Sequence, residues 1–479
     1  MLGRIARHEW RMLFSEKTPW VILLLLAASI GYAVMNGLQW TRFQQTTLGN
    51  AFAEQKGRYA DLKQQVAAIE AGKKPSPFAD PRMPDAVGGR LAGTYAAMPP
   101  LPLSPLSVGQ SDVLPYYFKI STASKESVLT SNEIENPNRL LAGRFDLSFV
   151  VIYLFPLLIT ALSYNLLSSE QEQGTLALLL SQPVPLRTFM AGKIGLRAAV
   201  IIAVVVLFSF TSLAIAGIDL TSSDATTRLL IWSGVVAAYA AFWFGVVLFV
   251  TSFGRSSATN AMALAATWLL LVVVLPSTLN MAASVLYPMP SRVDMIAALR
   301  VASDEASAKG NQLLAKYYGD HPELVSVTDS EKALNDVAVT RLAIDDEIER
   351  RVRPVVDRYD IQLASQQRLV DRFRLFSPAI VAQDALNDVA GTGAARYRHF
   401  VSLVEDYHTK WRSLFSPMII KKQKFTAAMY DNLPQFEFHE EAIGEIITRT
   451  SAAIGALFLS SVILAAISVR RLRRFSIAG

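Results

Sequence analysis

The sequence predicts an all-α polytopic membrane protein: six transmembrane helices and a mainly helical domain outside the membrane. Three observations carry this expectation. Of the 479 residues, 52% are hydrophobic and 18% charged, and the apolar ones gather into runs long enough to cross a hydrocarbon core about 30 Å thick. Two long polar segments with helical periodicity interrupt the runs. Lys and Arg cluster in the short connections and at both ends.

Composition also excludes function classes. On length alone the chain could hold about three soluble domains, but its apolar content argues otherwise. A net charge of +6 would raise nucleic-acid binding in a soluble protein. Here the basic residues sit beside apolar runs, so membrane topology accounts for them and no nucleic-acid partner is expected. Cysteine is absent, which removes disulfides, thiolate metal sites and cysteine nucleophiles.

Taken in order, residues 1–18 read as a basic amphipathic surface helix, with Leu2, Ile5, Ala6, Trp10, Leu13 and Phe14 on one face and Arg4, Arg7, Arg11 and Lys17 as its charges. Residues 19–40 are a first span between Trp20 and Trp40. No clean small-residue cleavage site closes it, so it reads as a permanent anchor rather than a signal peptide. Residues 41–146 are polar, helix-like over Ala51–Ala71 and then extended through the prolines from Pro75 to Pro102. The Tyr116-Tyr117-Phe118 cluster fits a packed corner, an interface belt or a lipid contact, of which packing is the commonest.

The second span, 147–167, holds Pro156, which marks a kink. A polar loop, 168–193, leads to the third span, 194–218, whose Arg197 can snorkel to the surface. The fourth span is 228–253 and the fifth 259–285, with Pro276 in its outer half. Residues 286–449 then read as a helical domain. Arg292–Tyr318 forms one helix, and a capping box at Thr328–Glu331 opens a second with Leu334, Val337, Ile344, Ile348 and Val352 along its stripe. Pro354 is expected to break or restart that helix, Ser377-Pro378 to open another, Gly391 and Gly393 to end it, and a last helix to run over Ala394–Phe415. The two longest helices could pair as a stalk, and a compact bundle is equally permitted. Residues 450–469 are the sixth span and 470–479 a basic tail.

Six crossings return both termini to one side. The basic clusters make that side cytoplasmic by the positive-inside rule, so both large polar segments fall outside and the 168–193 loop inside. In this loop Leu176, Leu179 and Leu180 recur at helical spacing behind Gly174-Thr175, Glu170 and Glu172 precede them, and Pro183 and Pro185 stop the pattern. That describes a short amphipathic helix along the interface; an ordinary interfacial loop with capping residues is the plainer alternative.

The pattern Glu170-x-Glu172-x-Gly174-Thr175-Leu176, then Ser181-x-Pro183, Arg187 and Gly192-Lys193, resembles the first cytoplasmic loop of type 2 ABC-transporter permeases, which forms the coupling helix docked on an ATPase subunit. Gly109–Phe118 and Pro378–Phe400 are similar to a bacterial branch of these permeases with a large external insertion, related to the gliding-motility and nitrous-oxide-maturation permeases. The resemblance implies the type 2 exporter arrangement in a bacterial inner membrane. It further implies a second permease as a homo- or heterodimer partner and an ABC ATPase that binds ATP and Mg. The residues implied for ATPase coupling are Glu170, Glu172, Gly174, Thr175, Leu176, Leu179, Leu180, Arg187 and Lys193. Gln171 and Gln173 depart from the pattern, because a basic residue is frequent there.

Catalytic chemistry is not expected of the chain itself. It contains no Gly-x-x-x-x-Gly-Lys-Ser/Thr loop, and Gly72-Lys73-Lys74 and Gly391-Thr392-Gly393 lack the required spacing. The five histidines are scattered without zinc-helix spacing, so no metal or cofactor is assigned. Few ionisable residues lie in the spans, which favours a hydrophobic or amphipathic cargo over an ion. The expected function is a permease subunit that couples ATP hydrolysis by another subunit to export, in contact with membrane lipid. The alternative is a mechanotransmitting subunit whose external domain binds an envelope partner without translocation. A membrane-anchored periplasmic enzyme, the third reading, lacks a catalytic constellation.

Overall fold

The computed structural model describes residues 2–15, 17–75, 80–125, 128, 145–176, 181, 185–320 and 337–473. Among them α1 (Leu2–Ser15) precedes six helices long and apolar enough to cross a membrane. These are α2 (Lys17–Glu70), α3 (Leu147–Glu172), α4 (Leu186–Ile215), α5 (Ser223–Thr251), α6 (Ser257–Leu286) and α12 (Ile443–Leu472). The bundle is built around α5, 67% of whose apolar stretch is buried against 11% for α6 and 17% for α12. Its Trp232, Tyr239 and Trp243 are fully buried. On α12 it packs closely: Gly245 lies against the Ser461 backbone, and the Ser461 hydroxyl donates to the Ala241 carbonyl at 2.7 Å.

Proline shapes two of the spans. In α3 and in α6 the turn just before the proline widens to a π-helix, over Val150–Leu154 before Pro156 and over Leu269–Val274 before Pro276. A proline has no N–H to give and crowds the carbonyl four residues back, so the helix widens there and leaves carbonyls to be satisfied by neighbours. Neighbours satisfy them. The Tyr239 hydroxyl donates to Ile152 O at 3.0 Å, Trp268 Nε1 to Tyr153 O at 3.1 Å, and the Ser377 hydroxyl to Leu271 O at 3.3 Å.

The first span does not stop where its apolar run stops. The expected span and the separate Ala51–Ala71 helix are one continuous 54-residue helix, about 81 Å long at 1.5 Å per residue. Gly37 lets it approach the Ser104–Leu106 turn, because a Cβ at Gly37 would stand 2.0 Å from the Pro105 carbonyl oxygen. The far end of α2 packs Leu62 and Val66 into a second core, separate from that of the bundle.

Both polar segments build this second core. The first contributes β1 (Thr94–Ala97) and β2 (Tyr117–Ile120), paired antiparallel with Thr94 opposite Ile120. Here the extended chain expected after the Ala51–Ala71 helix includes a two-stranded ladder, and Phe118 of the aromatic cluster is buried against Phe400. The second segment contributes α7 (Arg292–Ala308), α8 (Gly310–Asp320), α9 (Val337–Phe373), α10 (Pro378–Ala390) and α11 (Ala394–Ile420). The single helix expected over Arg292–Tyr318 is divided before Gly310. Pro354 does not break α9, because Val352 and Val356 on either side of it pack together with Ala302 and Ala306 of α7. The capping box at Thr328–Glu331 and Leu334 lie outside the described residues.

One part of the second polar segment leaves the second core. Ser377 opens α10, accepting from Ile380 N at 3.3 Å, and Gly391 closes it in the left-handed conformation. Between them Ala379, Ala382, Leu386 and Val389 are buried in the core of the spans. Gln366 of α9 donates to Tyr287 O just past the end of α6, whereas Ser377 reaches Leu271 halfway along α6. The end of α9 and all of α10 thus form a re-entrant hairpin at the depth of the spans. Its return is anchored by Arg228 of α5, which donates to Val389 O at 3.2 Å, and by Arg449 of α12, which pairs with Asp388 at 3.3 Å.

Candidate functional site

The loop after α3 is organised by its own acids. The last turn of α3, Ser168–Glu172, ends at Gly174, whose φ of +73° is a left-handed value suited to glycine. This reversal brings Thr175 back onto Glu170: its hydroxyl donates to Glu170 Oε2 at 2.6 Å, and Glu170 Oε1 accepts from Lys193 of α4 at 2.9 Å. Lys193 is buried, with a side-chain exposure of 6%, and its ammonium lies 4.7 Å from the centre of the Phe189 ring.

Glu9 of α1 completes the cluster. It is 1% exposed, accepts from Arg197 Nε at 2.7 Å and stands 3.9 Å from Lys193. Arg197 also donates to the Leu162 carbonyl of α3. It is therefore held inside rather than snorkelling to the surface. Two cations and two carboxylates compensate one another in a poorly hydrated place, the condition under which buried charge is tolerated. The cluster ties α1, α3 and α4 together.

Glu172 makes a separate tie. Its carboxylate accepts from the backbone N–H of Ser257 at 2.7 Å and from the Ser257 hydroxyl at 2.9 Å. It sits at the N-terminus of α6, where the helix dipole favours an anion. Ser168 and Ser257 hydroxyls lie 2.7 Å apart, and Asn260 donates to Tyr164 O at 3.4 Å.

Of the nine residues singled out from the sequence, the fold brings Glu170, Thr175 and Lys193 into direct contact and points Glu172 at α6. Leu176 is buried in the core of the spans, while Gly174 and Arg187 are exposed. Leu179 and Leu180, and with them most of the amphipathic turn, lie outside the described residues. Both carboxylates bind within the chain. Arg197 was read only as a snorkelling residue and Glu9 was not singled out, although a signal for Glu9 existed: position 9 falls between Ile5 and Leu13 on the packed face of α1 at four-residue spacing.

Two of the histidines hold backbone carbonyls. His408 Nε2 donates to Ala123 O and His399 Nε2 to His439 O, each at 2.8 Å. Burial pushes the His408 ring below its ordinary pKa.

Residues 127–273 match the model of the ABC-2 family transporter proteins, and residues 292–439 match a domain of unknown function, DUF3526. No curated protein matches the chain. The first match spans α3, α4, α5 and the braced loop between α3 and α4; the second spans α7 to α11, including the re-entrant hairpin. With six membrane-length helices, the chain is a multi-pass membrane protein that carries an ABC-2 family transporter domain over residues 127–273 and DUF3526 as an additional domain over residues 292–439.

Proposed function

We propose that this permease takes its driving force from a separate ABC ATPase through the 168–193 loop and exports a hydrophobic or amphipathic substrate. The observation that carries the reading is the brace of Glu9, Glu170, Lys193 and Arg197, with Glu172 on α6. A push on the loop passes through these contacts to α1, α3, α4 and α6 together. Differential contact with the motor in its nucleotide states then shifts the bundle between conformations.

The roles divide within the loop. Glu170, Glu172, Thr175 and Lys193 hold it rigid and Leu176 roots it in the bundle. Gln171, Gln173 and Arg187, all exposed, together with Leu179 and Leu180 meet the ATPase. ATP and Mg belong to that partner. Both termini and the loop face the cytoplasm of a bacterial inner membrane, as the basic clusters favour. A second permease meets the weakly buried α6, where Met262, Leu269, Leu270 and Val274 are exposed. Sparse charge in the spans supports a hydrophobic or amphipathic cargo.

Because cysteine is absent, single cysteines test this on an unaltered background. Gln173→Cys is expected to resist an impermeant thiol reagent in intact cells and to cross-link to the copurifying ATPase, while Lys73→Cys reacts from outside. Labelling of Gln173→Cys from outside, or no cross-link in an active complex, overturns the proposal.

A further inference from the structure

Between α5, α6 and α12, beneath the tip of the re-entrant hairpin, lies an apolar cavity of about 480 Å³, within the size range of small-molecule sites. Phe242, Val246 and Val250 of α5, Leu271 of α6 and Leu464 of α12 form its walls, and Phe376 of the hairpin closes one end. Two hydroxyls line it, Thr267 and Ser460, and each donates at 2.8 Å to a carbonyl of its own helix, Ala263 O and Ala456 O. The wall therefore offers an apolar ligand no unpaired donor. From Phe242 to Val250 the groove runs two turns, about 12 Å at 1.5 Å per residue.

The other end has a charge. One turn beyond Val250, the guanidinium of Arg471 stands 3.9 Å from the centre of the Phe253 ring. Arg470 and Arg471 close the last turn of α12, and both Arg471 and Phe253 are exposed. A cation at the mouth, an apolar groove leading to mid-depth and an aromatic stop at Phe376 match an anionic amphiphile whose chain spans half a bilayer.

We propose that this groove binds one acyl chain of an anionic phospholipid of the cytoplasmic leaflet, with its phosphate at Arg471 and its tail ending against Phe376. The leaflet rests on the orientation given under Proposed function; the site itself rests on the geometry above. A tail seated there touches α5, α12 and the DUF3526 hairpin at once, so its presence biases how the hairpin sits in the bundle.

The test uses the full chain in lipid nanodiscs with phosphatidylglycerol or phosphatidylcholine probes carrying a photoreactive group near the end of the acyl chain. Mass spectrometry of the adducts is expected to find residues 242–250 and 456–464 labelled about fivefold more by phosphatidylglycerol. Arg471→Glu abolishes that preference and Arg471→Lys retains it. Val246→Trp fills the groove and removes the label there, while the outward-facing Leu24 of α2 and Leu207 of α4 are labelled as before. Equal labelling by the two lipids, or groove labelling indifferent to Val246→Trp, means bulk bilayer lipid only and overturns the proposal. Should Val246→Trp fail to fold, the exposed Arg471→Glu still decides. A reversed orientation in the cysteine experiment overturns the leaflet assignment and the coupling proposal, and leaves the lipid preference to be judged on its own readout.

Discussion

Lys193 is the residue on which the loop's charges converge: it lies 2.9 Å from Glu170 and 3.9 Å from Glu9. Lys193→Met keeps the apolar stem but leaves two carboxylates short of a counter-charge, and breaking a buried pair in this way costs about 3 kcal/mol. The expected outcome is a lower midpoint in thermal unfolding of the purified protein. In a copurified complex, ATP hydrolysis should persist while transport falls. Asp345 in α9 gives a pH dependence. Burial pushes its carboxyl up to about 6, so between that value and the ordinary carboxylate pKa near 3.9 the folded chain holds a proton that the unfolded chain has released. Stability therefore falls as pH rises through this window, and the cost is fully present above it. Asp345→Asn is expected to raise stability at pH 7 by on the order of 2 kcal/mol and to change nothing below pH 4, as read from chemical denaturation at a series of pH values.

At the scale of elements, the hairpin formed by the end of α9 and α10 depends on one hydroxyl that serves two purposes. Ser377 caps α10 and donates to Leu271 O, a carbonyl whose partner in the widened turn would have been the missing N–H of Pro276. Ser377→Ala removes the cap and leaves that carbonyl unpaired among the spans, a loss of about 1–2 kcal/mol. Hydrogen exchange is expected to rise in α10 and at Leu271–Leu275, while the second core stays protected. How much of each element was legible in the sequence follows the same logic. Ser377-Pro378 and Gly391 were read as the ends of a helix because caps are local chemistry. That the helix returns into the bundle was not legible, since its apolar face of Ala379, Ala382, Leu386 and Val389 fits a soluble core equally well. The intact α9 through Pro354 likewise depends on packing against α7, which no local rule reports.

Over the whole molecule, the two polar segments are joined by long-range contacts. Trp411 of α11 is fully buried and its Nε1 donates at 3.0 Å to Gly88 O of the first segment. The same core receives Leu62 and Val66 from the far end of α2. Trp411→Ala should cost about 3–5 kcal/mol and release both segments together. Limited proteolysis is then expected to cut within 80–125 and at the end of α2 at the same rate, with the span portions of α2 and α12 resistant.

By itself the sequence determined the number of membrane-length helices, the polar interruptions and the loop pattern between the second and third spans, because apolar run length and residue chemistry are local properties. Only the tertiary structure decided that Glu170 turns onto Lys193 and Glu172 onto the start of α6, that Glu9 and Arg197 complete the brace, and that α10 belongs with the spans. Those outcomes depend on which groups meet across distances such as the 188 residues from Glu9 to Arg197. A charge shows its partner only once the chain has folded around it.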